Sequence, residues 1–573
     1  MRTFTAIHIQ MADEVPADRT QLTTKRIAAM IRKRIEARCP ATVAVSNEDA
    51  PFAVKLVLRE AMGAEAYRIE AQGEAAVTIS SGSPSGLLYG AGKWLHTSGF
   101  TEEGLIPSDW RGESKPESAL RGIYFATHFF NYYHVAPLDE LAAYLEDLAL
   151  WGTNHLLLVF PFVNLDGWED PNTATSIAQL KSIYSVAKQL DMKIGIGFAS
   201  NNQFRDAPAS IRATPNVDPL GRKGNHGVNI CTSKPEGKAY IVRNIAEMCR
   251  RFADCKLDFI VQSPYDEGGC GCERCHPWGA EAYLSLAEAI VKTARSYFPG
   301  ITHVLSTWVY DTPDAGEWQA LSAKLARGND WVNYIMADAH ENYPEYPLQH
   351  GVPGGVPLIN FPEISMWGLS PWGGFGANPL PDRFDHLWSR INHTVQGGFP
   401  YSEGIYEDIN KVIVSQFYWQ RQSTAEQTLR DYVGYEFSRG VVDQALRMIR
   451  IIERNHTLVA GSQAANVAEA DVAWQLAQQI DATLLPAAKT AWRWRILYLR
   501  ARLDAIRYRL AAEKPEWINA PGAPWGSLLE DHEAAQAALR ELIAIFHSKL
   551  VDDGSHKDHS WIRPPLANKA NNR

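Results

Sequence analysis

The chain reads as an α/β protein: a (β/α)8 TIM barrel between an N-terminal α/β domain and a C-terminal α-helical domain. Three observations predict this. Between Leu120 and Trp419 lie eight short apolar segments of strand length. Most gaps between them hold a helical pattern, which implies βα units and a parallel sheet. Nearly every segment is followed by an acid, an amide or an aromatic, where a barrel carries its active residues.

Taken in order, residues 1–115 are expected to form the first domain. Phe52–Leu58, Tyr67–Ala71 and Ala76–Ser80 have strand character. Ile27, Met30, Ile31 and Ile35 make a helical stripe, and a second helix is expected over Gly86–His96. The polar stretch Arg111-Gly-Glu-Ser-Lys-Pro-Glu-Ser marks a boundary. The barrel is expected over 116–422. Its segments are Leu120–Phe125, His155–Phe160, Lys193–Phe198, Leu257–Gln262, His303–Trp308, Trp331–Met336, Val356–Phe361 and Thr394–Tyr401. Residues 423–573 turn helical. Trp492, Ile496, Leu499, Leu503, Ile506 and Leu510 form an apolar stripe, and Arg493, Arg495, Arg500, Arg502, Arg507 and Arg509 predict a solvated basic face. The tail after Asp552 is polar and is expected to be extended.

A length of 573 residues calls for two to four domains. A net charge of −9 disfavours nucleic acid or an anionic membrane as partner. No apolar run is long enough for a membrane span, and Met1-Arg-Thr-Phe-Thr-Ala-Ile-His lacks an apolar leader core. A cytoplasmic chain is therefore expected, although a trimmed secretion signal would leave the same sequence. The 18 Trp and 22 Tyr suit a protein that stacks rings on sugars. The oligomeric state is left open, a homodimer being one option.

The chemistry concentrates in Ser263-Pro-Tyr-Asp-Glu-Gly-Gly-Cys-Gly-Cys-Glu-Arg-Cys275. Asp266 and Glu267 sit at the end of the fourth barrel segment. A glycosidase needs a proton donor for the leaving oxygen and a group that stabilises the oxocarbenium-like centre. Adjacent acids point in different directions and cannot flank a sugar as nucleophile and acid. They suit a substrate-assisted route, in which the 2-acetamido oxygen attacks the anomeric carbon. Asp266 then orients the acetamide and Glu267 protonates the leaving group. The competing reading is a solvated acidic loop.

Cys270, Cys272 and Cys275 offer three thiolates to one tetrahedral ion, with Cys231 as the fourth ligand and His276 as its competitor. A structural Zn²⁺ with four sulfurs would pin the loop after Glu267. Free thiols and a Cys270–Cys275 disulfide are the alternatives. Further substrate-binding candidates at segment ends are His128, Trp308, Tyr310, Asp338, Glu363, Trp367, Tyr401 and Glu403. His340 is a hydroxyl binder or a structural partner. Glu403 binds sugar hydroxyls or serves as a nucleophile opposite Glu267. Glu407 and Asp408 read as first-turn helix acids.

Arg121-Gly-Ile-Tyr-Phe-Ala-Thr-His-Phe-Phe resembles the first barrel strand of the family-20 β-N-acetylhexosaminidases, and Asp266-Glu267 resembles their catalytic pair. Ala75–Ser80 with Gly86-Leu-Leu-Tyr-Gly-Ala-Gly-Lys-Trp-Leu resembles their non-catalytic α/β domain. The likeness covers roughly residues 50–310. A bacterial group with a Cys-rich Asp-Glu-Gly-Gly-Cys motif is more similar still. The resemblance implies a retaining glycosidase that releases terminal β-linked N-acetylhexosamine, GalNAc or GlcNAc, from an oligosaccharide or glycoconjugate. Where the family has an Asp and an Arg in and after the first strand, this chain has Ala126 and His128. Pro264-Tyr265 replaces its usual glycine before the acids, so contacts to the sugar must differ. The alternatives are a retaining glycosidase of other specificity, such as a uronidase, using Glu267 and Glu403, and a catalytically silent glycan-binding protein.

Overall fold

The computed structural model describes residues 2–11, 22–39, 44–46, 50–128, 131–215, 228–265, 268–310, 316–340, 342–365, 376–455, 467–513 and 532–546. A six-stranded sheet comes first. It contains β1 (Ala6–Met11), β2 (Ala44–Ser46), β3 (Phe52–Leu58), β4 (Tyr67–Ala71) and β5 (Ala76–Ser81). After the hairpin of β6 (Gly99–Thr101) and β7 (Gly104–Ile106), β8 (Gly112–Ser114) joins its edge. The order is β2-β1-β3-β5-β4-β8, with β4 antiparallel to both neighbours. Helix Thr24–Arg38 starts where the Thr23 side chain accepts the Arg26 N–H, and it buries the expected Ile27, Met30, Ile31 and Ile35. Helix Pro84–His96 is buried along most of its length. A Cβ at Gly92 would lie 1.9 Å from the Leu150 carbonyl oxygen, so only glycine lets this helix approach the barrel so closely.

The barrel strands are β9 (Leu120–Phe125), β10 (His155–Val159), β11 (Lys193–Ala199), β14 (Phe259–Ser263), β15 (Thr302–Ser306), β16 (Tyr334–Ala339), β17 (Leu358–Pro362) and β18 (Val395–Gly398). Two short strands, β12 (Asn202–Gln203) and β13 (Val228–Asn229), pair between β11 and helix Pro235–Arg251. Each barrel strand is parallel to the next, and β18 and β10 both pair with β9, which closes the barrel. The last expected segment is divided. Pro400 has no N–H to give a ladder, and the strand resumes as β19 (Tyr401–Ser402), also paired with β9. The interior is a packed core that includes Leu157, Phe259, Val261, Met336, Phe361 and Phe399. Bare glycines make room for its rings: a Cβ at Gly195 would meet the Phe259 ring at 2.2 Å, and one at Gly122 the Phe399 ring at 2.3 Å.

After the barrel come helices Ala425–Val433, Val442–Arg454, Val467–Thr483, Trp492–Glu513 and Glu533–Ile545. The arginines of Trp492–Glu513 correct one expectation. Arg493, Arg500 and Arg507 are buried, not solvated. Other helices and the barrel cover the face that carries these three, while Arg495, Arg502 and Arg509 lie on the partly exposed stripe, as expected. The buried charges are matched inside: Arg500 Nε donates to Asp504 at 3.0 Å, and Arg507 lies 3.7 Å from the same carboxylate.

Arg493 joins all three parts of the molecule. It donates to Asp408 at 2.8 Å and to Asp147 at 3.1 Å, and lies 3.8 Å from Glu436. Arg34 of the first helix holds the other oxygen of Asp147 at 2.7 Å, and Arg38 holds Glu436 at 2.7 Å. Burial alone would raise the Asp147 carboxyl. Arg34, Arg493 and Arg38 outweigh it and hold the group down at about 2. Arg493→Met should therefore destabilise the protein by ~3–5 kcal/mol in urea unfolding at pH 7, because it strands buried carboxylates. The Asp147 contribution is complete above its unfolded value of about 3.9 and is lost as pH falls toward its folded value. The gap between wild type and variant should close over that acid window.

Among the described residues, no helix is long and apolar enough to cross a membrane.

Candidate active site

A cleft of about 620 Å³, counting its open mouth, lies at the C-terminal ends of the strands. Tyr124 and His128 enter it from β9, and Asn202 from the loop after β11. Ser263 and Tyr265 come from β14, Trp308 from beyond β15, Met336 from β16 and Phe361 from β17. The walls are largely apolar rings and aliphatic groups with a few polar side chains, the composition of a small-ligand site.

His128 lies parallel to Tyr124, ring centres 6.0 Å apart. Burial pushes its pKa down to about 3, so it is a neutral ring at ordinary pH. Trp308 stacks on His340 at 5.1 Å. The residue after it, Val309, is β-branched and is held at φ 66°. Such backbone strain is of order 1–3 kcal/mol and concentrates at functional sites. His340 Nδ1 lies 2.8 Å from Asp338 and its Nε2 3.9 Å from Glu363. Glu363, just past β17, accepts the Ser365 N–H at 2.7 Å and the Ser365 hydroxyl at 2.6 Å.

Across the mouth, the Tyr401 hydroxyl donates to Glu403 Oε1 at 2.8 Å. Glu403 Oε2 is buried and has no hydrogen-bond partner among the described residues. Burial, then the charges of Glu363 and Glu407, push the Glu403 carboxyl well above its ordinary range. A group raised on folding contributes stability that is complete below its unfolded value of about 4.3 and is lost as pH rises through its folded value. Glu403→Gln has no such titration. Its stability relative to wild type should therefore increase between pH 5 and pH 8, read by urea midpoints.

Glu407 and Asp408 do more than start a helix. Glu407 Oε1 accepts the N–H groups of Glu403 and Gly404 at 2.9 and 2.8 Å, and Asp408 accepts from Tyr432 and Arg493. Tyr310 is placed behind the wall of the cleft. It is fully buried, and its hydroxyl donates to the Gly279 carbonyl at 2.6 Å. The segment expected to run to Trp308 ends at Ser306, and Tyr310 follows a turn in which Val309 has φ 66°. Asp266, Glu267 and Trp367 lie outside the described residues.

The residues flanking the acid pair are described. Trp278 Nε1 holds the Pro264 carbonyl at 2.7 Å. On the other side Asn201 Oδ1 accepts the Gly269 N–H and Asn201 Nδ2 donates to the Gly269 carbonyl, both at 2.8 Å. These anchors were invisible as anchors in the sequence. Asn201 shows there only as an amide at a strand end, and Tyr265 only as a neighbour of the acids.

Beyond Gly269, Cys231, Cys270, Cys272 and Cys275 converge, their sulfurs all within 4.8 Å of one another. Cys231 is 3.8 Å from Cys272 and 4.0 Å from Cys275. A tetrahedral ion with bonds of about 2.3 Å would place sulfurs about 3.8 Å apart. His276 is exposed and outside the group, so the fourth position is a cysteine. Hydrogen bonding from Cys270 holds the Cys275 thiol down at about 4 and pushes Cys270 up in return. The group can therefore hold a metal ion.

No protein-family model matches this sequence, and no curated protein does. Solved structures resemble it in fold. A family GH115 4-O-methyl-α-glucuronidase with specificity for decorated arabinogalactans superposes with a TM-score of 0.60 at 10% identity, over 99% of this chain and 79% of that one. A GH89 protein from Clostridium perfringens, solved with its substrate GlcNAc-α-1,4-galactose, gives 0.59 at 12% identity; the match covers 92% of this chain and 64% of that protein's length. The GH20 β-N-acetylhexosaminidase from Streptomyces coelicolor A3(2) gives 0.51 at 15% identity, over 75% and 90%. At these identities the likeness establishes the fold, a barrel that glycoside hydrolases of several families share.

Proposed function

We propose that this protein is a glycoside hydrolase that releases terminal β-linked N-acetylhexosamine with retention, by substrate assistance. The observation that carries the reading is the place of the pair in the chain. Asp266 and Glu267 directly follow Tyr265, a wall residue of the cleft at the end of β14. Glu267 protonates the leaving oxygen and Asp266 orients the acetamide, whose oxygen closes on the anomeric carbon. Tyr124, His128, Trp308 and Phe361 supply the faces on which a pyranose can rest. Asp338, Glu363, Tyr401 and Glu403 supply polar contacts at its rim, with Tyr310 supporting from behind and Trp367 in the loop after β17. The four-cysteine group holds a structural Zn²⁺. With four protein sulfurs that ion has no open position, so it supports the acid-bearing loop without touching substrate.

The test is a release assay on paired aryl glycosides: β-GlcNAc, β-GalNAc and their non-acetamido counterparts. Release confined to an acetamido sugar supports the reading and names the sugar. A second reading has its own observation. Glu403 is a buried carboxyl with one oxygen unpartnered among the described residues, close enough to Glu363 to feel its charge. Glu267 and Glu403 would then form an acid and nucleophile of another specificity, such as a uronidase. Release of a non-acetamido sugar, lost in Glu403→Gln, would favour it.

A further inference from the structure

The start of the loop after β14 is tied to a buried carboxylate on another loop. Glu317 opens helix Glu317–Ala326 and is 1% exposed. Its Oε1 accepts the Tyr265 hydroxyl and also the Gly279 N–H, the latter at 2.8 Å. Gly279 N is in turn 3.1 Å from the Tyr265 hydroxyl. The knot is closed on its far side by Tyr310, which holds the Gly279 carbonyl. A Cβ at Gly279 would come within 2.3 Å of Glu317 Oε1 and 2.7 Å of the Tyr310 ring. Only glycine lets these three segments meet.

A buried carboxylate is an expensive choice for holding a fold together, since apolar residues of like volume serve as well or better. Its advantage is direction. One carboxyl oxygen takes both the Tyr265 hydroxyl and the Gly279 N–H and so fixes their relative position. Tyr265 is thereby fixed in ring and hydroxyl. It lines the cleft, and it is the residue from which Asp266 and Glu267 continue.

We infer that Glu317 is a positioning residue: it fixes Tyr265, the cleft-wall residue that directly precedes Asp266 and Glu267 in the chain. The inference rests on the proposed role of Glu267. It also gives the fifth βα loop, which carries Trp308, a direct tie to the loop of the pair.

The experiment measures kcat, KM and thermal unfolding of the full chain on an aryl β-N-acetylhexosaminide. The variants are Tyr265→Phe, Glu317→Gln, their double combination and Glu267→Gln. Each single change should lower kcat by about 10–100-fold, the effect of a catalytic group displaced by about 1 Å. KM should stay within about threefold. The double variant should be no worse than the poorer single one, because both act through one chain of contacts. A merely structural knot would lower the melting temperature and leave kcat per folded molecule intact. Wild-type kcat in either single variant, or losses that multiply in the double, would overturn the inference while a dead Glu267→Gln leaves the proposed function standing. Full activity in Glu267→Gln would overturn the reading beneath it, and the inference with it. If Tyr265→Phe fails to fold, Glu317→Gln, which keeps the shape and an acceptor oxygen, carries the same comparison.

Discussion

Glu267→Gln is expected to lower kcat on an aryl β-N-acetylhexosaminide by ~10²–10⁴-fold with little change in KM, the signature of a lost general acid. The size should depend on the leaving group. A nitrophenolate leaves without much help, so its hydrolysis should suffer least. A sugar alcohol needs a full proton, so a natural disaccharide should suffer most. Asp266→Asn is expected to act differently. It weakens the grip on the acetamide, so its loss should persist with a good leaving group and should extend to thiazoline inhibitors, which mimic the cyclised intermediate. Substrates without an acetamide should not distinguish Asp266→Asn from wild type. A Glu267→Gln enzyme with full activity on every substrate would remove the acid from this position.

The strands of this barrel could be read from sequence because each is an apolar run with polar residues at its far end. The errors fall where a single residue changes direction. Trp308 and Tyr310 share a face only if the strand continues through both. Val309 at φ 66° ends that alternation, and the two rings part. Pro400 likewise divides one expected strand into β18 and β19. The buried arginines of Trp492–Glu513 were misread for a different reason. One helix's pattern cannot show how many neighbours enclose it, and Asp408 and Asp147, the partners of Arg493, lie 85 and 346 residues away. The cysteine group was the easiest to read, since three of its four members lie within six residues of one another. Tyr265, Asn201 and Glu317 were the hardest. Their partners are on other loops, and nothing local in the sequence pairs them.

Metal removal is the second large effect. The purified protein should carry about one zinc per chain, and a strong chelator should lower its melting temperature and its activity together. Structural zinc sites of this kind hold free energies of roughly 10–16 kcal/mol in small peptides, which is comparable to the whole stability of a domain. Cys275→Ser should reproduce the loss, since Cys275 is buried and is one of the four converging cysteines. Activity that disappears on gentle chelation while unfolding is unchanged would instead make the metal a participant in the reaction. A protein free of zinc, with four titratable thiols and unaltered melting, would remove the metal from the account.

The ion cluster around Arg493 bears on how this chain could be inherited. Modular enzymes exchange their accessory parts by recombination at linkers that few contacts cross. Here Asp147 comes from helix Leu138–Leu150 after β9, Arg34 from the amino-terminal unit and Arg493 from the carboxy-terminal helices. A chimera that replaced either flank would leave a buried charge without its counterpart. The three parts are therefore bound to one lineage and should travel together through evolution. Scanning calorimetry should show the same indivisibility as one heat-absorption peak for the intact protein, with van't Hoff and calorimetric enthalpies in agreement.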